Sequence, residues 1–178
     1  MSIVGKSGQK WVSGLLMKDL KAKGGELGVF RGVQHINMDA KGRMAIPTRQ
    51  RESLSAECQG NVVITIDTQS HCLAVYPLPE WERIEREVQA LPALNPAVKR
   101  FQRLVLGYAS DLQLDGNGRI LLPPALREYA QLEKKIVLVG QGNKFELWSE
   151  ALWLAERDAA LAVEVGVELP SELMTLQL

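Results

Sequence analysis

Four basic side chains lie close together in the stretch DAKGRMAIPTRQRE, which runs from Asp39 to Glu52. They are Lys41, Arg43, Arg49 and Arg51. Lysine and arginine bind phosphate through charge, and an arginine guanidinium can also donate two parallel hydrogen bonds to one acceptor group. The stretch therefore predicts a surface that faces phosphate groups.

Nearly the same stretch recurs downstream as DGNGRILLPPALRE, from Asp115 to Glu128. Six residues return at one offset, among them the aspartate, the glycine and the first arginine of the turn. After the short helix the offset drops by four and the match resumes, so that Trp81 aligns with Trp153. Agreement over the whole unit indicates a tandem duplication.

The two copies differ in charge. Residues 31–54 hold five basic and two acidic side chains, whereas residues 111–128 hold two arginines and three acids. Lys41 of the first copy has become Asn117 in the second. Because the formal net charge of the chain is zero, binding to a polyanion must depend on a local patch. The first copy is predicted to carry that patch.

Much of the repeated motif predicts backbone geometry. The aspartate can accept hydrogen bonds from N–H groups of the turn, the glycine takes a positive φ, and the proline ends the strand before a helix. These positions are Asp39, Gly42 and Pro47 in the first copy and Asp115, Gly118 and Pro123 in the second. Arg43 and Arg119 have two interpretations: each points away from the protein, or each forms a salt bridge with the aspartate of its own turn.

The elements that position these turns are short strands and a short helix. Each copy is predicted to form two strands, a helix and two more strands. In the first copy these segments are GVFRGVQHINMD, RMAIP, TRQRESL, NVVITID and CLAVYP. One such unit is too small to close a core, so two copies are predicted to pack as a pseudo-dimer. Two amphipathic helices connect them, LPEWERIEREVQAL and NPAVKRFQRLVLGYA, the second with Asn95 as N-cap. The predicted class is α+β, mainly β.

The segments FRGVQHINMDAKGRMAIPTRQRE, YPLPEWERIE, RLVLGYASDLQLDGNGRILLPPALRE and VLVGQGNKFELW closely resemble the MraZ family of bacterial transcriptional regulators. The resemblance implies a tandem swapped-hairpin β-barrel, the fold of AbrB-type regulators, with two copies per chain. It also implies a ring-shaped homo-oligomer that binds direct repeats of double-stranded DNA in the promoter of the division and cell-wall gene cluster.

The resemblance also assigns the site. The DNA-contacting turn of the family maps onto Asp39, Lys41, Gly42 and Arg43, and its second occurrence maps onto Asp115 and Arg119. Asn117 departs from the lysine of the first turn. Our hypothesis is that Arg43 reads base edges and that three neighbouring cations contact phosphates, namely Lys41, Arg49 and Arg51.

The domain organisation follows from the repeat. We predict a flexible leader at 1–28, a first repeat with its connecting helices at 29–107, a second repeat at 108–165 and a C-terminal tail at 166–178. Val29 fits a GTG start codon, and residues 23–26 fit a ribosome-binding sequence. The leader is therefore interpreted as translated non-coding sequence or an artefact, and a genuine basic arm that touches DNA is the alternative.

An enzyme is the rival class. Ser70, His71 and Cys72 are adjacent, but neighbouring side chains of an extended segment point to opposite sides, so the histidine cannot readily activate the thiol. The two cysteines, Cys58 and Cys72, show no metal-ligand spacing and are predicted to be buried thiols. We expect no catalysis, metal or cofactor.

The other alternative is a ring-forming interaction module that regulates a partner protein without touching DNA. The acidic tail and the tryptophans Trp81, Trp148 and Trp153 could serve it, although the recurrence of the tryptophans in the repeat favours core positions.

No apolar run reaches the ~18 residues that a membrane span needs. We therefore expect a cytoplasmic protein with no membrane partner, and the resemblance to DNA-binding regulators implies that it associates with the nucleoid.

Overall fold

The computed structural model describes residues 29–162. Within that range the protein has eight strands and five helices and is rich in sheet, which confirms the predicted α+β, mainly β class. The predicted leader and the predicted tail lie outside the described residues. Among the helices of residues 29–162, none combines the length and the apolar character that crossing a membrane requires.

The first copy of the repeat contributes four strands and one helix. They are β1 (Val33–Asn37), β2 (Arg43–Ala45), α1 (Thr48–Cys58), β3 (Asn61–Ile66) and β4 (Leu73–Pro77). The β3 sequence NVVITI is rich in β-branched residues, which favour strands, and five of its six side chains are buried. Strand β3 therefore lies inside the protein.

Two helices connect the copies, and the second copy repeats the order of the first. The elements are α2 (Leu78–Gln89), α3 (Pro96–Val105), β5 (Ser110–Gln113), β6 (Arg119–Leu121), α4 (Pro124–Tyr129), β7 (Lys135–Gly140), β8 (Phe145–Ser149) and α5 (Glu150–Leu161). The chain thus presents strand, turn, strand, helix and hairpin twice.

Strands of both copies form one antiparallel sheet, in which the first strand of each copy pairs with the hairpin of the other. Its order is β1-β7-β8-β4-β3-β5, so that β1 pairs with β7 and β5 pairs with β3, each across the copies. In the middle, β4 and β8 pair with Leu73 opposite Leu147. Each copy therefore supplies a strand that completes the half of the sheet formed by the other.

The predicted barrel is not present as a closed sheet. Strands β1 and β5 form the two edges, each with a ladder on one side only. Both are followed by tight turns, beyond which β2 and β6 pair with each other as a separate two-stranded sheet. Because the chain leaves the large sheet at these turns, β1 and β5 have no second neighbour within residues 29–162 through which a barrel could close.

The main hydrophobic core draws on both copies. Its fully buried side chains include Leu54, Ile64 and Leu73 from the first copy and Leu126, Leu138, Phe145 and Leu147 from the second. The rings of Phe30 and Phe145 lie 4.1 Å apart between centroids, again across the copies. Since apolar burial is the main stabilising contribution, neither copy retains its core without the other.

Helix α1 is longer than the sequence predicted. The expected segment TRQRESL ended at Leu54, whereas the helix continues to Cys58. Leu54 and Cys58 are both buried and lie one helical turn apart, so the added turn extends the buried face. The helix then ends at Gln59, whose φ of 54° is left-handed, and Gly60 follows with a φ of 76°.

Helix α3 begins as predicted but buries less than predicted. The side-chain oxygen of Asn95 accepts a hydrogen bond from the N–H of Ala97 at 2.9 Å, which makes Asn95 the N-cap. Leu104, an apolar residue of the segment predicted to be an amphipathic helix, is 41% exposed. The packed face of the helix lies over Val105, which is buried in a cluster with Trp81.

The three tryptophans within residues 29–162 and both cysteines lie mainly in the interior. Trp81 and Trp148 are each 4% exposed, and Trp153 packs beside Trp148 with ring centroids 6.0 Å apart. Cys58 and Cys72 are free and buried, and burial raises the pKa of both thiols. They are therefore protonated packing residues at neutral pH.

Candidate nucleic-acid interface

The first turn is closed by hydrogen bonds that begin and end within five residues. The Asp39 carboxylate oxygen Oδ1 accepts from the backbone N–H groups of Lys41 and Arg43, each at 2.9 Å. The backbone N–H of Gly42 donates to the Asp39 carbonyl at 2.9 Å. Gly42 has a φ of +89°, a conformation that glycine adopts readily because it lacks Cβ.

The second turn repeats this geometry. Oδ1 of Asp115 accepts from the backbone N–H groups of Asn117 and Arg119 at 2.8 and 2.9 Å. Gly118 donates its N–H to the Asp115 carbonyl at 2.8 Å and has a φ of +71°. The change from lysine to asparagine therefore leaves the backbone geometry of the turn unchanged.

The two turns hold their arginines differently. Arg43 donates from Nε to Oδ2 of Asp39 at 2.7 Å, and its side chain is still 46% exposed. The Nε of Arg119 lies 3.5 Å from Oδ2 of Asp115 and, in the described part of the chain, is a buried nitrogen without a hydrogen-bond partner. The two interpretations of Arg43 are thus compatible: it forms the salt bridge and remains accessible.

Both aspartates are ionised at neutral pH. Hydrogen bonds from the backbone N–H and the guanidinium of Arg43 lower the pKa of Asp39, and the backbone N–H of Arg119 lowers the pKa of Asp115. A depressed carboxyl pKa means that these interactions are fully present above the ordinary pKa and are lost as the pH falls through the lowered one. The turns are therefore formed throughout the neutral range.

Strands β2 and β6 bring the two turns together in a two-stranded ribbon. Arg43 lies opposite Leu121, Met44 opposite Ile120, and Ala45 opposite Arg119. Met44 and Ile120 are only 1% and 2% exposed and face the core. Since side chains alternate along a strand, the outer face of the ribbon carries Arg43, Ala45, Arg119 and Leu121.

Arg51, predicted to contact phosphate, packs against the second turn. Its Nη1 donates to the Asn117 carbonyl at 2.9 Å and its Nη2 to the Thr48 hydroxyl at 3.3 Å. A Cβ added at Gly118 would lie 2.1 Å from the Arg51 Cδ, so this glycine permits the contact. Arg51 is therefore half-buried, and its side chain holds the turn of the other copy in place.

Arg127 makes the reciprocal contact on the first turn. A Cβ added at Gly42 would lie 2.8 Å from the Arg127 guanidinium carbon. Each turn is therefore covered by an arginine from the helix of the opposite copy. Arg51 and Arg127 occupy equivalent positions of the repeat, but their charge alone does not indicate that each covers the turn of the opposite copy.

Lys41 and Arg49 are the remaining predicted cations. Both are exposed, Lys41 in the first turn and Arg49 in the first turn of helix α1. Across residues 29–162, only their backbone atoms take part in hydrogen bonds, Lys41 through its N–H and Arg49 through its carbonyl. Their side-chain charges are free to meet a ligand.

Comparison with known proteins identifies two matching regions in the chain. A family model described as "MraZ protein, putative antitoxin-like" matches residues 29–104 and again residues 105–160. The chain is similar to proteins named "Transcriptional regulator MraZ". The one from Halorhodospira halophila is 57% identical over 152 residues, which cover 84% of this chain and all of that protein. The one from Alkalilimnicola ehrlichii is 55% identical over 150 residues, with 84% and 100% covered. The one from Pseudomonas aeruginosa strain LESB58 is 53% identical over 150 residues, with 83% and 99% covered.

Proposed function

This chain belongs to the MraZ family, and from that premise we propose that it is a DNA-binding transcriptional regulator whose β2–β6 ribbon contacts the duplex. Its relatives are named transcriptional regulators, a class that is not enzymatic. The proposed target is the promoter upstream of its own gene, in the division and cell-wall cluster. The proposed location is the nucleoid of the cytoplasm.

The observation that carries the proposal is the state of the Arg43 guanidinium. Asp39 accepts from Nε, while neither Nη1 nor Nη2 forms a hydrogen bond within residues 29–162. The two terminal nitrogens are those that can fork onto O6 and N7 of guanine. The salt bridge therefore orients the side chain and leaves its base-reading edge available, which lowers the entropic cost of binding.

The ribbon has suitable dimensions and charge for a DNA groove. The major groove of B-form DNA admits a two-stranded β-ribbon, and several regulators read DNA in this way. Exposed Lys41 and Arg49 flank the ribbon on the side of the first copy. We assign these two to phosphates and Arg43 to base edges, with Arg119 in a weaker second position because Asn117 replaces the lysine beside it.

We assign the exchange of strands between the copies to the swapped-hairpin fold of AbrB-type regulators. Strands β1 and β2 of the first copy pair with β7 and β6 of the second, which supports this assignment. The two sheet edges, β1 and β5, are equivalent strands of the two copies but differ in sequence, VQHIN against SDLQ. Contacts between unlike surfaces can close into a ring, and a ring presents the ribbon at regular intervals to direct repeats. Native mass spectrometry tests for a closed ring, and a monomer at all concentrations would contradict it.

The alternative is an interaction module that binds a protein partner and not DNA. Two of the three tryptophans that could serve that alternative, Trp81 and Trp148, are buried, and Trp153 is half-buried. A gel shift on DNA from upstream of the gene separates the two classes. A shift that weakens steeply with salt supports the regulator, because binding to DNA releases counterions. The absence of any shift favours the interaction module.

The Arg43→Ala variant tests the site. We expect it to lose roughly 1–3 kcal/mol of discrimination between the protected operator and sequence variants of it. The matched control is Arg157→Ala, because Arg157 is an exposed arginine on α5 that pairs with its neighbour Asp158. Unchanged affinity and unchanged preference in Arg43→Ala would remove Arg43 from the interface.

A further inference from the structure

The two ends of the β2–β6 ribbon are chemically different. At one end Arg43 lies opposite Leu121, and at the other end Arg119 lies opposite Ala45. Leu121 is 55% exposed, although leucine is usually buried. The duplication therefore produces a ribbon with two similar backbones and an isobutyl group at one end only.

We propose, on the basis of the proposed function, that Leu121 contacts the C5-methyl group of a thymine next to the guanine read by Arg43. Apolar side chains in the major groove recognise thymine in this way. Because Ala45 at the other end is much shorter, the ribbon reads its DNA box in one direction. The occupant is duplex DNA, since the face that carries Leu121 also carries Arg43 and Arg119.

The strand register places Leu121 directly opposite Arg43, so the separation of these two side chains can be compared with the spacing of base pairs. The N–H of Leu122 donates to the carbonyl of Gly42 at 2.9 Å, so the next pair along, Arg43 and Leu121, is a non-hydrogen-bonded pair. Side chains at such a pair stand about 4.5–5.5 Å apart at Cβ. The rise of DNA is about 3.4 Å per base pair. The two side chains thus reach adjacent base pairs.

The directionality follows from the same register. A pseudo-symmetric ribbon with identical ends would bind a box equally well in either orientation. Here the end with Leu121 also has Lys41 in the adjacent turn, whereas the end with Ala45 has Asn117. Lys41 and Leu121 therefore lie at the same end of the ribbon, whereas an arginine is present at both ends. Tandem boxes read by such a ribbon must all point in one direction, as direct repeats do.

The test replaces thymines one at a time with deoxyuridine, which lacks the C5-methyl group. The probe is the shortest upstream duplex that the wild-type protein protects. We expect one position of the box to weaken wild-type binding by about fourfold, the factor that corresponds to one buried methyl group. Leu121→Ala should bind the unmodified duplex more weakly and lose this sensitivity. A 7-deazaguanine scan, compared with Arg43→Ala, should place the contacted guanine at the adjacent step.

A variant that moves the side chain provides the matched control. In Ala45→Leu/Leu121→Ala the isobutyl group is transferred to the other end of the ribbon, and the sensitivity to deoxyuridine should move to the opposite end of the box. Its retained binding to DNA also shows that the variant folds. A flat deoxyuridine scan in a wild-type protein that binds DNA would overturn this inference alone.

Two further outcomes are distinguishable from that one. Absence of any DNA binding by the wild-type protein would overturn the proposed function together with the inference. A change in subunit number for Leu121→Ala in native mass spectrometry would place this side chain between copies of the chain, and would also overturn the inference.

Discussion

Arg43 and Arg119 occupy equivalent positions in the repeat but lie at different distances from the aspartates of their turns. Arg43 bonds its aspartate at 2.7 Å, whereas Arg119 stands 3.5 Å from the equivalent oxygen. The positively charged side chains beside them differ too, because Lys41 is replaced by Asn117. At the scale of single residues, therefore, the first copy holds its arginine more firmly at the surface that we propose for DNA.

We predict that Asp39→Asn raises affinity for unrelated DNA and lowers discrimination between operators. Asparagine keeps an oxygen for the N–H groups of the turn, but it removes a negative charge and the acceptor of the Arg43 Nε. Competition gel shifts with operator and random DNA measure both effects. Asp115→Asn is the control and should reduce discrimination less. Unchanged discrimination in Asp39→Asn would show that the salt bridge does not orient Arg43.

We predict that Lys41→Ala weakens binding to all DNA sequences alike. An exposed lysine that neutralises one phosphate releases one counterion, so the slope of log affinity against log salt should fall by about one. Fluorescence anisotropy over a salt series measures this slope. The matched control is Asn117→Ala in the second turn, which removes no charge. A change in operator preference for Lys41→Ala would instead indicate a contact with bases.

At the scale of elements, each turn depends on a helix of the other copy. Arg51 of α1 covers the second turn and Arg127 of α4 covers the first. We predict that Gly118→Ala lowers the free energy of unfolding by about 1–3 kcal/mol, because the turn would hold alanine at a positive φ and the new Cβ would meet the Arg51 side chain. Urea denaturation measures the loss.

The same turn offers the control. A Cβ added at Gly116 would meet no atom within 4 Å, and the φ of this glycine is not positive, so Gly116→Ala should be close to neutral. In an Arg51→Ala background the cost of Gly118→Ala should become smaller, since only the backbone strain remains. An equal cost in both backgrounds would show that Arg51 does not press on this turn.

At the scale of the whole molecule, the two copies share one sheet and one core. Leu147 is fully buried and pairs with Leu73 of the other copy. We predict that Leu147→Ala destabilises the protein by about 2–5 kcal/mol and that both copies still unfold in a single transition. Urea denaturation with hydrogen exchange, followed in β3 and β7 together, measures both.

The matched control for Leu147→Ala is Leu161→Ala. Leu161 is 79% exposed at the end of α5, so its removal should change the free energy of unfolding by less than about 0.5 kcal/mol. Two separate transitions in Leu147→Ala, or protection lost only in the second copy, would mean that the copies fold as independent units.

The local structure was determined by the sequence. The hydrogen bonds of each turn close within five residues, so aspartate, glycine and arginine at fixed spacing were sufficient to predict it. The N-cap at Asn95 and the β-branched run of β3 were predictable for the same reason. Helix α1 was predicted too short because its last turn is fixed by burial of Cys58 in the core and not by a local signal.

The pairing of strands was decided by the tertiary structure. Arg43 and Leu121 meet although 78 positions separate them, and no local preference specifies which strand accompanies which. That pairing leaves the sheet open and Leu121 exposed. It also brings Arg51 and Arg127 each against the turn of the opposite copy. The sequence alone determined which residues form the turns. Only the assembly of both copies decided what lies beside them, because contacts between distant segments depend on how the shared core is buried.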